Sequence, residues 1–133
     1  MLLILFLITG AHNFPSAPPY DITPPIVSVQ PRHVHLALGE QKNTFSVSWS
    51  TVNKTIGSTV IVYDNEYGRS EKLFEGSSVL FVDGGIQKSK QWIHKVLVTG
   101  LNGNSSYRYR VGSDEGWSDI FFMQTLPTGL FEK

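Results

Sequence analysis

Apolar and polar residues alternate with a period of two along most of the chain. Phe45, Val47 and Trp49 interleave with Ser46, Ser48 and Ser50, the cleanest such run, and predict a half-buried strand with Trp49 as its central packing residue. Residues 60–63 (Val-Ile-Val-Tyr) are apolar or β-branched on both faces and predict an inner strand. Val27 and Val29 start an earlier strand, which Pro31 breaks and Val34, Leu36 and Leu38 resume. A proline there is tolerated only on an edge strand or at a crossing between sheets. Residues 72–75 and 79–82 are short strand candidates around Gly76, and residues 120–125 form the last strand. Beyond residue 17 no stretch of useful length carries a 3.6-residue period, so helices are not expected.

The densest information lies between Trp92 and Trp117. Residues 93–99 are mostly β-branched or apolar. Leu101, Tyr107, Tyr109 and Val111 then alternate with Arg108 and Arg110, which the pleat turns to the opposite face. Leu101 precedes Tyr107 at the spacing of a tyrosine corner, where a Tyr at the start of a strand returns its hydroxyl to upstream backbone. Turn signals at Gly39-Glu40, at residues 64–68, 83–85 and 112–116, and at Leu126-Pro127 separate the strands. This pattern predicts an all-β, seven-stranded immunoglobulin-like sandwich. The fibronectin type III-like version is favoured, with Trp49 on the second strand, the tyrosine corner on the sixth and no disulfide required. In that strand order Asn53 shares one pole with the turn at residues 114–117 and the N-terminus. Asn104 shares the other pole with Pro127.

Composition narrows the functional classes. The 133 residues suffice for one domain, and the absence of cysteine leaves packing alone to hold it. Eleven basic and eleven acidic side chains cancel, so no strong field draws the chain to nucleic acid or anionic lipid. At the N-terminus, Leu2 to Ile8 are consecutive apolar residues followed by small ones. That run is too short for a bilayer, which needs about 20 residues, but has the length of a secretory signal. Residues 1–17 are therefore expected to be a signal peptide, cleaved near 11–17. Residues 18–25 are a Pro-rich linker, and the domain spans 26–127. The mature chain then has no membrane span, and its destination is secreted or lysosomal.

Candidate chemistry is sparse. His33 and His35 form an H-x-H pair on one strand face, but two ligands without a third make a poor metal site. His94 shares the inward parity of Val96 and Val98 and reads as a core histidine with satisfied ring nitrogens. Asp114 and Glu115 are adjacent acids at a turn tip, a solvated arrangement rather than an acid/base pair. Trp117 either packs on the sandwich edge or joins Asp114 and Glu115 in an interface. Asn53 and Asn104 head N-x-[S/T] sequons in expected loops and are the predicted glycosylation sites. Trp49, Leu101, Tyr107 and Tyr109 are structural.

Three segments go beyond a generic sandwich: PRHVHLAL, LFVDGGIQKSKQWIHKVLVTGL and SYRYRVGSDEGWSDIFFMQTLP. In order and spacing they resemble the N-terminal domain of purple acid phosphatases, the last segment being closest to animal members. The resemblance implies metal-dependent acid phosphomonoester hydrolysis in a following domain, at a binuclear centre of iron with iron, zinc or manganese. That centre uses motifs such as GDxG, GDxxY, GNHE and GHxH, none of which occurs here. No catalytic, cofactor-binding or metal residue carries over, and residues 128–133 fall where the next domain would begin. The expected function is a non-catalytic module partnered by its own C-terminal metallophosphatase domain, with no nucleic-acid partner. The alternative is a stand-alone secreted module that binds a protein or glycan.

Overall fold

Residues rich in β-branched and aromatic side chains, punctuated by Gly, Asn and Asp, can bury their apolar positions only by stacking two pleated faces. The computed structural model describes residues 28–64, 70–127 and 129. Nine strands lie among them: β1 (Arg32–Leu38), β2 (Phe45–Thr51), β3 (Thr59–Asp64), β4 (Glu71–Glu75), β5 (Ser77–Val82), β6 (Lys90–Val98), β7 (Ser106–Ser113), β8 (Gly116–Trp117) and β9 (Phe121–Gln124). One sheet runs β1-β2-β6-β5. The other runs β4-β3-β7-β8, with β9 also paired to β7. Every pairing is antiparallel.

The expected all-β sandwich is present, with more pieces than seven. The segments around Gly76 are β4 and β5, which belong to opposite sheets. A Cβ on Gly76 would overlap the carbonyl oxygen of Lys95, so the chain crosses between sheets by pressing bare backbone against β6. The last strand is likewise divided, β8 closing a tight hairpin on β7 before β9 continues alongside. Gly112 makes that hairpin possible: its φ is +145°, and a side chain would meet the carbonyl oxygen of Gly116. Helices are absent among the described residues.

The core is the set of inward positions. Val47, Trp49, Val96 and Val98 come from one sheet; Val60, Val62, Tyr107, Tyr109 and Val111 come from the other, with Met123 and Leu101 completing it. Each buried valine contributes about 1.5–3 kcal/mol. The tyrosine corner is formed: the backbone N–H of Asn102 donates to the Tyr107 hydroxyl at 2.9 Å. That bond fixes the crossing from β6 to β7 and satisfies a donor that would otherwise cost about 1–3 kcal/mol.

Two edges depart from the sequence pattern. β1 begins only after Pro31, with Ser28 to Gln30 in turn conformation, while Val27 lies outside the described residues. Its register to β2 then shifts between Arg32 and His35. β5, at the other edge of the same sheet, holds four consecutive apolar residues, Val79, Leu80, Phe81 and Val82, each between 44% and 63% exposed. Val79 and Phe81 pair with Ile93 and Gln91 on the outer face. Leu80 and Val82 pair with Trp92 and Lys90 on the inner one. β5 therefore overhangs the opposing sheet and is wetted on both sides.

Candidate functional site

His94 is the one fully buried imidazole among the described residues. It lies opposite Trp49 in the β2–β6 ladder, and the two rings stack at 5.0 Å between centroids, 3° from parallel. Both ring nitrogens are satisfied, Nε2 by Thr51 Oγ1 at 2.9 Å and Nδ1 by Ser58 Oγ at 2.8 Å. Thr51 already donates its hydroxyl proton to the carbonyl of Asn53 at 2.7 Å, so its oxygen accepts from Nε2–H. Ser58 therefore donates to Nδ1, and the neutral tautomer is fixed by geometry. Burial lowers the pKa of His94 below its ordinary 6.5. The result is a polar strut tying β6 to the β2–β3 connection. It has no route to solvent for proton transfer, so it holds structure rather than chemistry.

The connection it holds forms one pole. The backbone N–H of Asn53 donates to the carbonyl of Ser28 at 2.8 Å, and its side-chain amide donates to Ser28 Oγ at 2.9 Å. Glu115 Oε2 accepts from the backbone N–H of Ile56 at 2.7 Å, clasping the β7–β8 turn to the β2–β3 loop. Gln30 donates to the carbonyl of Trp117 at 2.6 Å. Asp114 is exposed, whereas Trp117 is half-buried with the Arg110 guanidinium 4.7 Å from its ring centroid. Asp114 and Glu115 are thus not brought together as a pair, and the ring of Trp117 is occupied by Arg110. At the opposite pole Asn104, exposed at φ 51°, donates its backbone N–H to the carbonyl of Leu126 at 3.0 Å. Asn53 and Asn104 therefore stand at opposite ends, the latter beside Pro127.

The H-x-H pair is not two side chains in regular alternation. His33 has φ 53°, inside the shifted register, and its Nδ1 lies 3.0 Å from Ser50 Oγ. His35 is exposed and resumes the ladder opposite Ser48. No group of three or more His, Cys, Asp or Glu converges among the described residues. The sequence pattern did not reveal that the β1 shift opens a concavity of about 390 Å³ toward β5 and β6. Only Pro31 within an apparently continuous strand hinted at irregularity there.

Two layers with Trp49 and His94 stacked inside, the tyrosine corner and the absence of cysteine define a disulfide-free immunoglobulin-like module. Residues 31–125 match the family described as purple acid phosphatase, N-terminal domain. The chain belongs to that family. It is 36% identical over 109 residues to acid phosphatase type 7 of Danio rerio, the match covering 79% of this chain and 24% of that protein. With acid phosphatase type 7 of Homo sapiens it shares 35% identity over 102 residues, 77% of this chain and 23% of the relative. The chain thus spans about a quarter of the length of these curated relatives. A purple acid phosphatase from yellow lupin (Lupinus luteus) seeds shares the fold, with a TM-score of 0.62 and 17% identity, over 74% of this chain and 20% of that one.

Proposed function

We propose that the chain is the non-catalytic N-terminal module of a secreted or lysosome-routed purple acid phosphatase, serving to pack against and orient a metallophosphatase domain. The match over residues 31–125 carries this reading, because the matched residues make up the sandwich alone. A binuclear metal mechanism needs clustered oxygen and imidazole ligands to polarise phosphate and activate water. The described residues supply no such cluster. The centre of iron with iron, zinc or manganese and the partner domain belong, in this reading, to the remainder of the parent protein. Purified chain supplied with iron, zinc or manganese should hydrolyse aryl phosphate no faster than a metal-only blank. Turnover that tracks the protein through purification would overturn the assignment.

Routing through the secretory pathway is supported by the apolar leader and by sequons whose asparagines are both exposed. Expressed in a eukaryotic secretory host, the chain should reach the medium with N-glycans at Asn53 and Asn104. Glycosidase treatment should lower its mass, and Asn53→Gln with Asn104→Gln should abolish that shift. Retention of the unglycosylated chain in the cytosol would contradict the route.

A further inference from the structure

The register shift in β1 is not required by the core, since Val34 and Leu36 still pack against it. From Arg32 to His35 the strand advances three positions while its partner moves two, from Ser50 to Ser48, so β1 carries one extra residue there. His33 takes up the excess in a left-handed conformation that a side chain rarely adopts. Such local strain persists only where the surroundings hold it, and it clusters at functional positions. Ser50 donates its hydroxyl proton to the carbonyl of Arg32 at 3.4 Å, so its oxygen accepts from Nδ1–H of His33. This hold leaves Nε2 of the ring as the acceptor in the neutral form and a donor when protonated.

The concavity beside this bulge, about 390 Å³, is of the size that takes a small molecule. Arg32 and Lys90 line it, and the two cations outnumber the single carboxylate, Asp83. Arg32 suits a planar or tetrahedral oxyanion through its fork of N–H donors. Phe81, 49% exposed on the outer face of β5, supplies an apolar wall, and Gln91 and Ser50 add hydrogen-bonding groups. Asp83 adds an acceptor for a ligand hydroxyl, which an unsubstituted anion lacks.

We propose that the concavity at the β1 bulge is a binding site for an anionic sugar, its phosphate or carboxylate held by Arg32 and Lys90 and its ring laid on Phe81. The site is independent of phosphate hydrolysis and goes beyond the packing role assigned to the module.

The test uses the full chain, ¹⁵N-labelled, titrated separately with glucose 6-phosphate, N-acetylneuraminic acid and glucose. The amides of Arg32, His33, Ser50 and Gln91 should shift saturably with at least one of the two acids and not with glucose. Response to one acid alone assigns the anion as phosphate or carboxylate; response to both assigns a site tolerant of either. Arg32→Gln and Lys90→Gln should each weaken binding by about tenfold, and Phe81→Ala should do so without a change in charge. All three side chains lie at the surface or are half-exposed, and amide dispersion checks that each variant is folded. Equal shifts with glucose, shifts scattered over unrelated surface lysines, affinity unchanged in these variants, or silence with both acids would each overturn the proposal.

Discussion

Trp49→Ala is expected to leave the chain unfolded or nearly so. Removing a buried Trp typically costs about 3–5 kcal/mol, and a domain of this size has only about 5–15 kcal/mol in total. The local geometry places the loss at the upper end. Trp49 is 2% exposed and sits on β2, which is paired on one side to β1 and on the other to β6. Its ring is the stacking partner of His94. Truncation opens a cavity against an imidazole whose hydrogen bonds depend on being held in place. Urea denaturation followed by far-ultraviolet circular dichroism measures the effect, with Trp49→Phe retaining more of the contact and losing less. An alanine variant with the wild-type midpoint would show that the packing centre lies elsewhere.

Acidification should destabilise the fold through His94. Its folded pKa lies below the ordinary 6.5 because burial penalises the charged ring. An unfolded chain therefore takes up a proton at a pH where the fold still resists it. The contribution is complete above pH 6.5, declines as the pH falls below that value, and stops declining once the lower folded pKa is passed. Between those limits one such group changes stability by at most about 1.4 kcal/mol per pH unit. Protonation would also turn Nδ1 from acceptor to donor and reverse the hydrogen bond from Ser58. Urea midpoints at pH 7.5, 6.0 and 5.0 should fall for the wild type. His94→Gln should be less stable at pH 7.5 yet lose less on acidification, while His35→Gln, an exposed control, should keep the wild-type slope. Identical slopes for wild type and His94→Gln would exclude the buried imidazole as the origin.

The sandwich and its centre were readable from the sequence because alternation is strict where one face is buried. Phe45, Val47 and Trp49 against three serines leave little choice of face, and the Leu101–Tyr107 spacing marks a turn that recurs for a mechanical reason. His94 was readable in kind by its parity with Val96 and Val98. Its partners Thr51 and Ser58 were not, since they lie 43 and 36 residues away along the chain. The bulge was hidden for a different reason. Arg32, His33, Val34 and His35 look like ordinary alternation, and the extra residue is visible only against the partner strand. Residues 72–75 and 79–82 carry the same period, and nothing in that period says that one follows β3 and the other β6. The concavity escaped notice because its walls come from three strands whose neighbours in sequence differ. The leader, the linker and the segment after residue 127 lie outside the described residues, Gly129 excepted.

The overhanging strand β5 separates two kinds of durability. Its outer rim offers unpaired backbone groups beside apolar side chains on both surfaces, with no charge among its six residues Ser77 to Val82 to turn away a visiting strand. A sample of this chain therefore loses material at a pace set by how often molecules meet, while the depth of the native well governs a separate process. Tightening the interior would raise the melting point and leave that meeting rate where it was. A single lysine on the β5 rim would act in the reverse sense.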